Sequence, residues 1–594
     1  MRWFAVLPLL FLWVTSALCV IPLDDHPCWE STDQDYATGG AFGDLDHDGD
    51  LDLATGNGND MQMERDKVYY NVGTRLETSA SWSSGDLAYG CHIDLGDVNQ
   101  DGWLDLAVAN YLTPYRDDVY INLGGTLEST PSWQAADIDH SFALAWGDVD
   151  LDGDPDLAVA CGERYSSEPE ESKLYLNYDG LLEEYASWYS RIGFAYDVTW
   201  GDVDLDGDLD LFVAKDGEKN DLYLNIGGAL EENPCWSSDE SWGTIQAAWG
   251  DVDNDGDLDV AVANNAQLSG VSNFQVYLNV DGMLETSAGW ESQISRDYCS
   301  CVAWGDVDGD GDLDLAGGGW WEPVVVFENI DGTLETVPSW SWRPSSVYDL
   351  VCEQVVWGDV DGDGVCNVLG EVHSGDGLTQ LFTLDHAPLH TVERVVADGV
   401  ELGPDQFTVD LVTGTIVLAE PPIDQVAIDY TYSNDLDLVV TNWDQYEPSY
   451  QFENLVVPAI EVDAVPEEII VPRGGELILD VTVTNRTSSP VSSTAWVDVI
   501  LPNGKPYGKN PIVGPQPFSL SAGQSRQKHL RHKVPNNAPL GTYQYQVKVG
   551  ERPSDIIDQS SFSFTVIQGS MAGDHGGVDG VWTTDDTEWS VTVD

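Results

Sequence analysis

The sequence predicts an all-β protein: a seven-bladed β-propeller with a small β insertion in its last blade, followed by a β-sandwich. Three observations predict it. A string of the type GDVDxDGDLDL returns seven times, from Gly43, Gly96, Gly147, Gly201, Gly250, Gly305 and Gly358, at intervals of 49 to 55 residues. Short alternating apolar runs flank each copy, in the period-two pattern of half-buried strands. A Trp-bearing run closes each of six units, at Trp82, Trp133, Trp188, Trp236, Trp290 and Trp340, and a seventh, at Trp29, precedes the first string.

A period near fifty marks an array of supersecondary units. Within a unit, a strand ending in Trp ("FALAW", "IQAAW") runs into the acidic string, and "LDLAVAN" runs out of it. A variable loop follows, then "VYIN" or "LYLN", a Gly-containing turn, and the "LE…SW" segment. That is four strands per unit, and four-stranded sheets repeated about an axis make a propeller. Trp29 then supplies the outer strand of the last blade and clasps the ring.

The chain of 594 residues is too long for one core. It carries 104 acidic against 23 basic residues, a formal charge of −81, yet 42% of it is hydrophobic and 10% aromatic. That apolar content argues for folded domains rather than an acidic disordered chain. The charge disfavours nucleic acid and anionic membrane as partners, since both need a basic face.

Residues 1–19 read as a secretory signal peptide: one Arg, an apolar run from Trp3 to Val14, then small residues. Cleavage after Ala17 or Cys19 fits. A lipidated Cys19 is the alternative, opposed by Leu18 where a small residue is expected. No later segment is long and apolar enough to span a membrane. Eight cysteines then remain in an oxidising compartment. Cys28 and Cys235 both sit in "PCW", and Cys299 and Cys352 both lie six residues before a GD glycine. Pairing stays open, as do buried free thiols.

The acidic string has oxygen donors at positions 1, 3, 5 and 9, with Gly at 6 and a backbone carbonyl offered at 7. The first loop gives Asp44, Asp46, Asp48, Asp50 and Asp52; the second Asp97, Asn99, Asp101, Trp103 and Asp105; the third Asp148, Asp150, Asp152, Asp154 and Asp156. The fourth gives Asp202, Asp204, Asp206, Asp208 and Asp210; the fifth Asp251, Asp253, Asp255, Asp257 and Asp259; the sixth Asp306, Asp308, Asp310, Asp312 and Asp314. The seventh reads Asp359, Asp361, Asp363, Val365 and Asn367. Calcium takes six to eight oxygens in irregular geometry, and four clustered carboxylates repel without a cation. A solvated acidic turn would explain one copy but not the same positions in seven. About seven structural Ca2+ ions are therefore expected, bound more weakly where Asn99 and Asn367 replace a carboxylate. The string opens like an EF-hand but lacks its twelfth-position Glu and flanking helices. Seven dications offset only a small part of the charge.

The unit "AWGDVDGDGDLDLAVAN…LYLN" resembles the FG-GAP/VCBS repeat of secreted bacterial proteins and of integrin α-subunit propellers, over roughly residues 26 to 455. The resemblance implies that the acidic hairpin joins the first two strands of a blade and binds calcium structurally. It also implies that ligands use the opposite face, and it implies no catalytic activity.

The propeller is placed at 20–456, with 386–433 as the small β insertion; a degenerate eighth repeat is the alternative. Residues 457–568 alternate as a β-sandwich, and "VPNNAPLGTYQYQVKV" resembles the last strands of bacterial Ig-like surface modules. The basic residues Arg526, Lys528, Arg531 and Lys533 fall there. They read as an ordinary exposed strand or, alternatively, as a docking face toward the acidic ring. Residues 569–594, rich in Gly and Asp, read as a flexible tail.

Function is expected on the variable loops, where Tyr111, Tyr115, Tyr165, Trp320, Trp321, Trp443 and Tyr446 stand. Aromatic platforms beside acids and amides suit a glycan or protein ligand; rings folded between blades are the plain alternative. Of Trp320 and Trp321, adjacent in sequence, at most one is expected to be free. The expectation is a secreted calcium-binding propeller for adhesion or ligand binding, without catalytic residues. The alternative is a polysaccharide lyase or glycosidase. Against it stand only 13 scattered Lys and Arg before residue 455 and the absence of HExxH, GxSxG and P-loop motifs.

Overall fold

The computed structural model describes residues 21–567 apart from internal stretches that include 345–349, 362–364, 385–388, 411–414, 444–447 and 455–459, and beyond 567 it describes 583–584 and 590–592. The signal-peptide residues, Asp310, Asp363 and Tyr446 lie outside the described residues.

The described elements are strands, with no α-helix among them. The alternating runs pair antiparallel into repeated four-stranded sheets, consistent with a β-propeller. The first sheet holds Ala37–Gly43, Asp52–Asn57, Lys67–Tyr69 and Trp82–Ser83, in sequence order. Five more follow the same plan, opening with Gly90–Gly96, Ser141–Gly147, Ala195–Gly201, Thr244–Gly250 and Cys299–Gly305. A seventh joins Cys352–Gly358, Asp437–Asn442 and Tyr450–Phe452 to Trp29–Glu30, whose Trp29 pairs with Gln451. The predicted clasp is present. Opening strands of consecutive sheets adjoin one another, and Cys352–Gly358 adjoins Ala37–Gly43, so the series closes on itself.

Small residues and indoles explain the close approach of these opening strands. A Cβ on Gly147 would fall 2.8 Å from the Trp200 ring, one on Gly201 2.7 Å from Trp249, and one on Gly250 2.7 Å from Trp304. The GD glycine therefore leaves the space that the next sheet's Trp fills. The end-of-unit Trp does the same work further out. Trp82 packs edge-on against Tyr120, Trp133 against Tyr175, Trp188 against Tyr223 and Trp236 against Tyr277, each on the following sheet. Trp29 meets Tyr69 at 5.7 Å and so makes this contact across the closure. Such pairs contribute roughly 0.5–1.5 kcal/mol beyond their burial.

The last acidic loop differs from expectation. Gly358 pairs with Asp437, whereas Val365–Ser374 pairs with Gln425–Ser433, setting Asn367 opposite Thr431. The insertion thus begins inside the seventh acidic loop, earlier than residue 386, and Asp437 rather than Asn367 holds position nine. Val365 and Asn367 belong to an insertion strand. The insertion forms two small sheets around Phe382, Ile416, Leu418, Val426 and Ile428. It rests on the third and fourth acidic loops: Gln380 Nε2 donates to Leu151 O at 2.9 Å, and Leu381 and Val417 join the core of Val149 and Leu209.

After the ring, two sheets share one apolar core that includes Leu477, Leu479, Val499, Leu530, Tyr545 and Val566. Ser525–Lys533 is central in its sheet, between Glu476–Asn485 and the short strands Thr583–Thr584 and Ser590–Thr592. Those two strands come from the segment expected to be a free tail. Lys528 is buried and donates to Gln516 Oε1 at 2.9 Å, so the basic run is not one continuous face.

Candidate metal centres

Each of the first six acidic loops is the turn between the first two strands of its sheet. In the first loop, Asp44 Oδ1 accepts from the Asp48 amide at 3.1 Å and Asp44 Oδ2 from the Gly49 amide at 3.1 Å. Asp48 Oδ1 accepts from the Asp50 amide at 3.1 Å. The fourth loop repeats these bonds through Asp202, Asp206, Gly207 and Asp208. The chain reverses through two left-handed residues, position four and the position-six glycine. Leu205 has φ 57° and Gly207 φ 95°. A side chain at position six would add strain at that φ.

This geometry gathers the acids. One oxygen each from Asp44, Asp46 and Asp48 lies within 4.8 Å of the others, and the same holds for Asp148, Asp150 and Asp152. It holds again for Asp202, Asp204 and Asp206, for Asp251, Asp253 and Asp255, and for Asp306, Asp308 and Asp314. The donor set is all oxygen, as a hard cation prefers. A further observation points the same way. Asp150 Oδ1 and Asn99 Oδ1, both at position three, are buried acceptors to which no donor is directed. A buried acceptor without a partner costs about 1–3 kcal/mol, so these residues fit a cation as the missing partner.

Position nine has a second task. Asp210 Oδ2 accepts from the Val203 amide at 3.0 Å and Oδ1 from the Asn225 amide at 2.7 Å. Asp437 does likewise with Val360 and Asn454, confirming its place in the seventh sheet. Burial above all, with the neighbouring loop acids adding to it, pushes these carboxyls up: Asp52 and Asp259 to about 7, Asp105 and Asp210 to about 8, Asp156 and Asp314 to about 9. Burial thus makes the charged form of these groups costlier, and a cation beside them offsets that cost.

The Asn ending "LYLN" carries a role that its own segment does not reveal. Its Nδ2 donates to the position-two carbonyl of the preceding acidic loop. Asn122 reaches Leu45 O at 2.8 Å, Asn177 Val98 O at 2.8 Å, Asn225 Val149 O at 2.6 Å and Asn279 Val203 O at 2.8 Å. Asn329 reaches Val252 O at 2.7 Å, Asn454 Val307 O at 2.7 Å and Asn71 Val360 O at 2.6 Å. The seven bonds run once round the ring and tie every acidic loop to its neighbour.

The opposite face carries the loops between second and third strands. There the expected aromatics separate into local groups. Tyr111 lies 4.8 Å from Phe142, which stacks on Tyr196 at 4.0 Å, and its hydroxyl bonds the Glu163 carboxylate. Tyr115 packs edge-on against Tyr89. Trp443 lies against Tyr36. Trp320 stacks on Tyr298, while Trp321 turns outward at φ 58° and is 42% exposed. Trp320 is tucked, and Trp321, edge-on to the same Tyr298 at 5.4 Å, keeps the more exposed indole. Tyr165 is 74% exposed.

A model of the FG-GAP-like repeat matches residues 44–108, 97–159, 202–262 and 306–369. Those stretches, which together cover less than half of the chain, are similar to FG-GAP-like repeats. Each match begins on the first Asp of an acidic loop, and at Asp44, Asp202 and Asp306 that start coincides with a carboxylate cluster. No curated protein matches the sequence. Among solved structures, one titled as BBS1N in complex with ARL6DN is similar at 11% identity, covering 69% of this chain and 95% of that one, with a TM-score of 0.38. Among the described residues no helix is long and apolar enough to cross a membrane.

Proposed function

We propose that this chain is a secreted, seven-bladed FG-GAP propeller with a C-terminal Ig-like β-sandwich, which binds an extracellular glycan or protein. Calcium in its acidic hairpins is structural. The observation that carries the calcium reading is the recurrence of carboxylate clusters in five of the acidic loops, with orphaned buried acceptors at Asn99 and Asp150. Calcium supplies charge neutralisation and fixes the hairpin. The chain's own residues do the rest: position-nine carboxylates hold the loop start, and the Asn side chains couple loop to loop. The ligand is assigned to the other face, where Tyr165 and Trp321 stand exposed on a frame of packed strands. In this reading the chain binds and does not catalyse.

Elemental analysis of the purified protein, paired with thermal melts before and after chelation, tests the calcium reading. A site held at a hundred times its Kd adds about 2.7 kcal/mol. Bound calcium with a large, reversible fall in the melt on chelation is expected; no bound calcium and no shift overturns it. A glycan and protein array probed with the wild type and with Trp321→Ala tests the ligand face. Retention that the substitution abolishes supports it, and release of sugar fragments favours a polysaccharide-degrading enzyme.

A further inference from the structure

At three junctions the inner strands are linked sheet to sheet by a side chain three positions into the opening strand. Asp197 Oδ2 accepts from the Ala247 amide at 2.8 Å, Gln246 Oε1 from the Val302 amide at 2.9 Å, and Gln354 Oε1 from the Gly40 amide at 2.8 Å. Between the sixth and seventh sheets that position is Cys301, which makes no such bond. Its sulfur instead lies 3.5 Å from Cys352 Sγ on the next opening strand. Both residues are fully buried. Gly318 makes the room: a Cβ there would sit 2.3 Å from Cys352 Sγ and 2.7 Å from Cys301 Sγ. Space is thus kept for two sulfurs in contact, at a junction where Ser300 Oγ also donates to Cys352 O.

We propose that Cys301 and Cys352 form a disulfide that joins the sixth and seventh sheets covalently. The oxidant is a dithiol–disulfide exchange partner, such as a thiol oxidoreductase or a small-molecule disulfide. One cysteine thiolate attacks the oxidant's disulfide, forming a mixed disulfide and releasing one thiol. The second thiolate attacks the protein sulfur of that mixed disulfide and releases the other thiol. Two protons leave the cysteines, and the two electrons reduce the oxidant. In the closed ring neither sulfur meets solvent, and burial raises the Cys352 thiol well above its ordinary value. Exchange needs an accessible thiolate, so the bond forms while the sheets are still apart and is shielded once they close. Cys299 faces Arg296 and Ser272 instead, and is left out of the pair.

The test is a peptide map of the full-length protein refolded in a glutathione redox buffer. Free thiols are blocked with N-ethylmaleimide in denaturant without reductant. The expected result is one cross-linked species joining the Cys301 and Cys352 peptides, two hydrogens lighter than the reduced pair. It should persist when native protein is treated with dithiothreitol and vanish when reductant is added in denaturant. Full blocking of both cysteines overturns the proposal, as does Cys301 or Cys352 paired to a different cysteine. Cys299→Ser, which spares the pair, should leave the cross-link unchanged; its loss in that variant also counts against the assignment.

Discussion

Replacing Asn279 by Ala removes one of the seven bonds between neighbouring acidic loops while leaving the metal-facing carboxylates in place. Asn279 Nδ2 donates to Val203 O at 2.8 Å and to Leu258 O at 3.2 Å, and the residue is 3% exposed. Truncation leaves two carbonyls short of a donor where water does not readily follow. At about 1–3 kcal/mol for each unsatisfied buried group, and less for a carbonyl that keeps another partner, the loss is roughly 3 kcal/mol. Part returns, because Asn279 Oδ1 is itself buried without a donor and leaves with the side chain. The net expectation is a destabilisation of about 2–3 kcal/mol. The assay is urea unfolding at saturating calcium, followed by tryptophan fluorescence, since indoles line the sheet junctions. Asn279→Asp, which keeps the shape but points oxygens at both carbonyls, should cost more than the Ala variant. A change below about 0.5 kcal/mol for Asn279→Ala, or Asp behaving as wild type, would refute the view that these bonds hold the ring.

Three further outcomes are expected. Asp259→Ala should destabilise the protein even in a chelator, because its oxygens accept from the Val252 and Asn279 amides, whereas Asp257→Ala at position seven should leave the calcium-free melt unchanged; equal effects in a thermal scan would contradict the two-role account of position nine. Asp197 sits away from the acidic loops and is raised to about 7 by burial, so its folded form favours the proton. Its contribution to stability is full below the ordinary carboxyl range near 4 and is lost as pH rises toward 7; Asp197→Asn should flatten that part of the stability–pH curve, and an unaltered slope would count against it. Trp188→Ala empties the contact with Tyr223 and removes the bond from its indole N–H to Glu231 O at 3.0 Å; unfolding should register a loss of about 3–5 kcal/mol.

Where the chain repeats, the fold was legible. Period, strand order and the Trp29 clasp follow from strings that recur, and the first six acidic loops are numbered correctly by the sequence alone. The one misnumbered loop shows where this stops. "GDVDGDGVCNV" keeps the look of a loop through Gly364, so Val365 and Asn367 took the places of positions seven and nine. The strand that really answers Gly358 resumes at Asp437, in "LDLVVTN", and only pairing register reveals the join. The Asn side chains were visible as letters but not as links, because each acts on a carbonyl of a different unit, 76 residues away for Asn279 and Val203. Local pattern reports local structure; bonds between units are a property of the closed ring. The aromatic face was legible only in part, for a related reason. Sequence lists Tyr111, Tyr115 and Trp443 beside Tyr165 and Trp321, but packing decides which rings stay outside.

The seventh sheet is built from both ends of the ring's stretch of chain, with the Cys28 amide bonded to Gln451 O at 2.9 Å. Its outer strand is therefore made first and paired last. During synthesis Trp29–Glu30 waits until more than four hundred further residues have emerged. Until then the first sheet has an uncovered flank and the nascent array has two open edges, each able to pair with another chain. Six sheets can condense through contacts local in sequence, but the last step closes a very long loop, and such steps are slow. Refolding should then show a late phase that reports Trp29, and the yield of native ring should fall with protein concentration well before its final stability does.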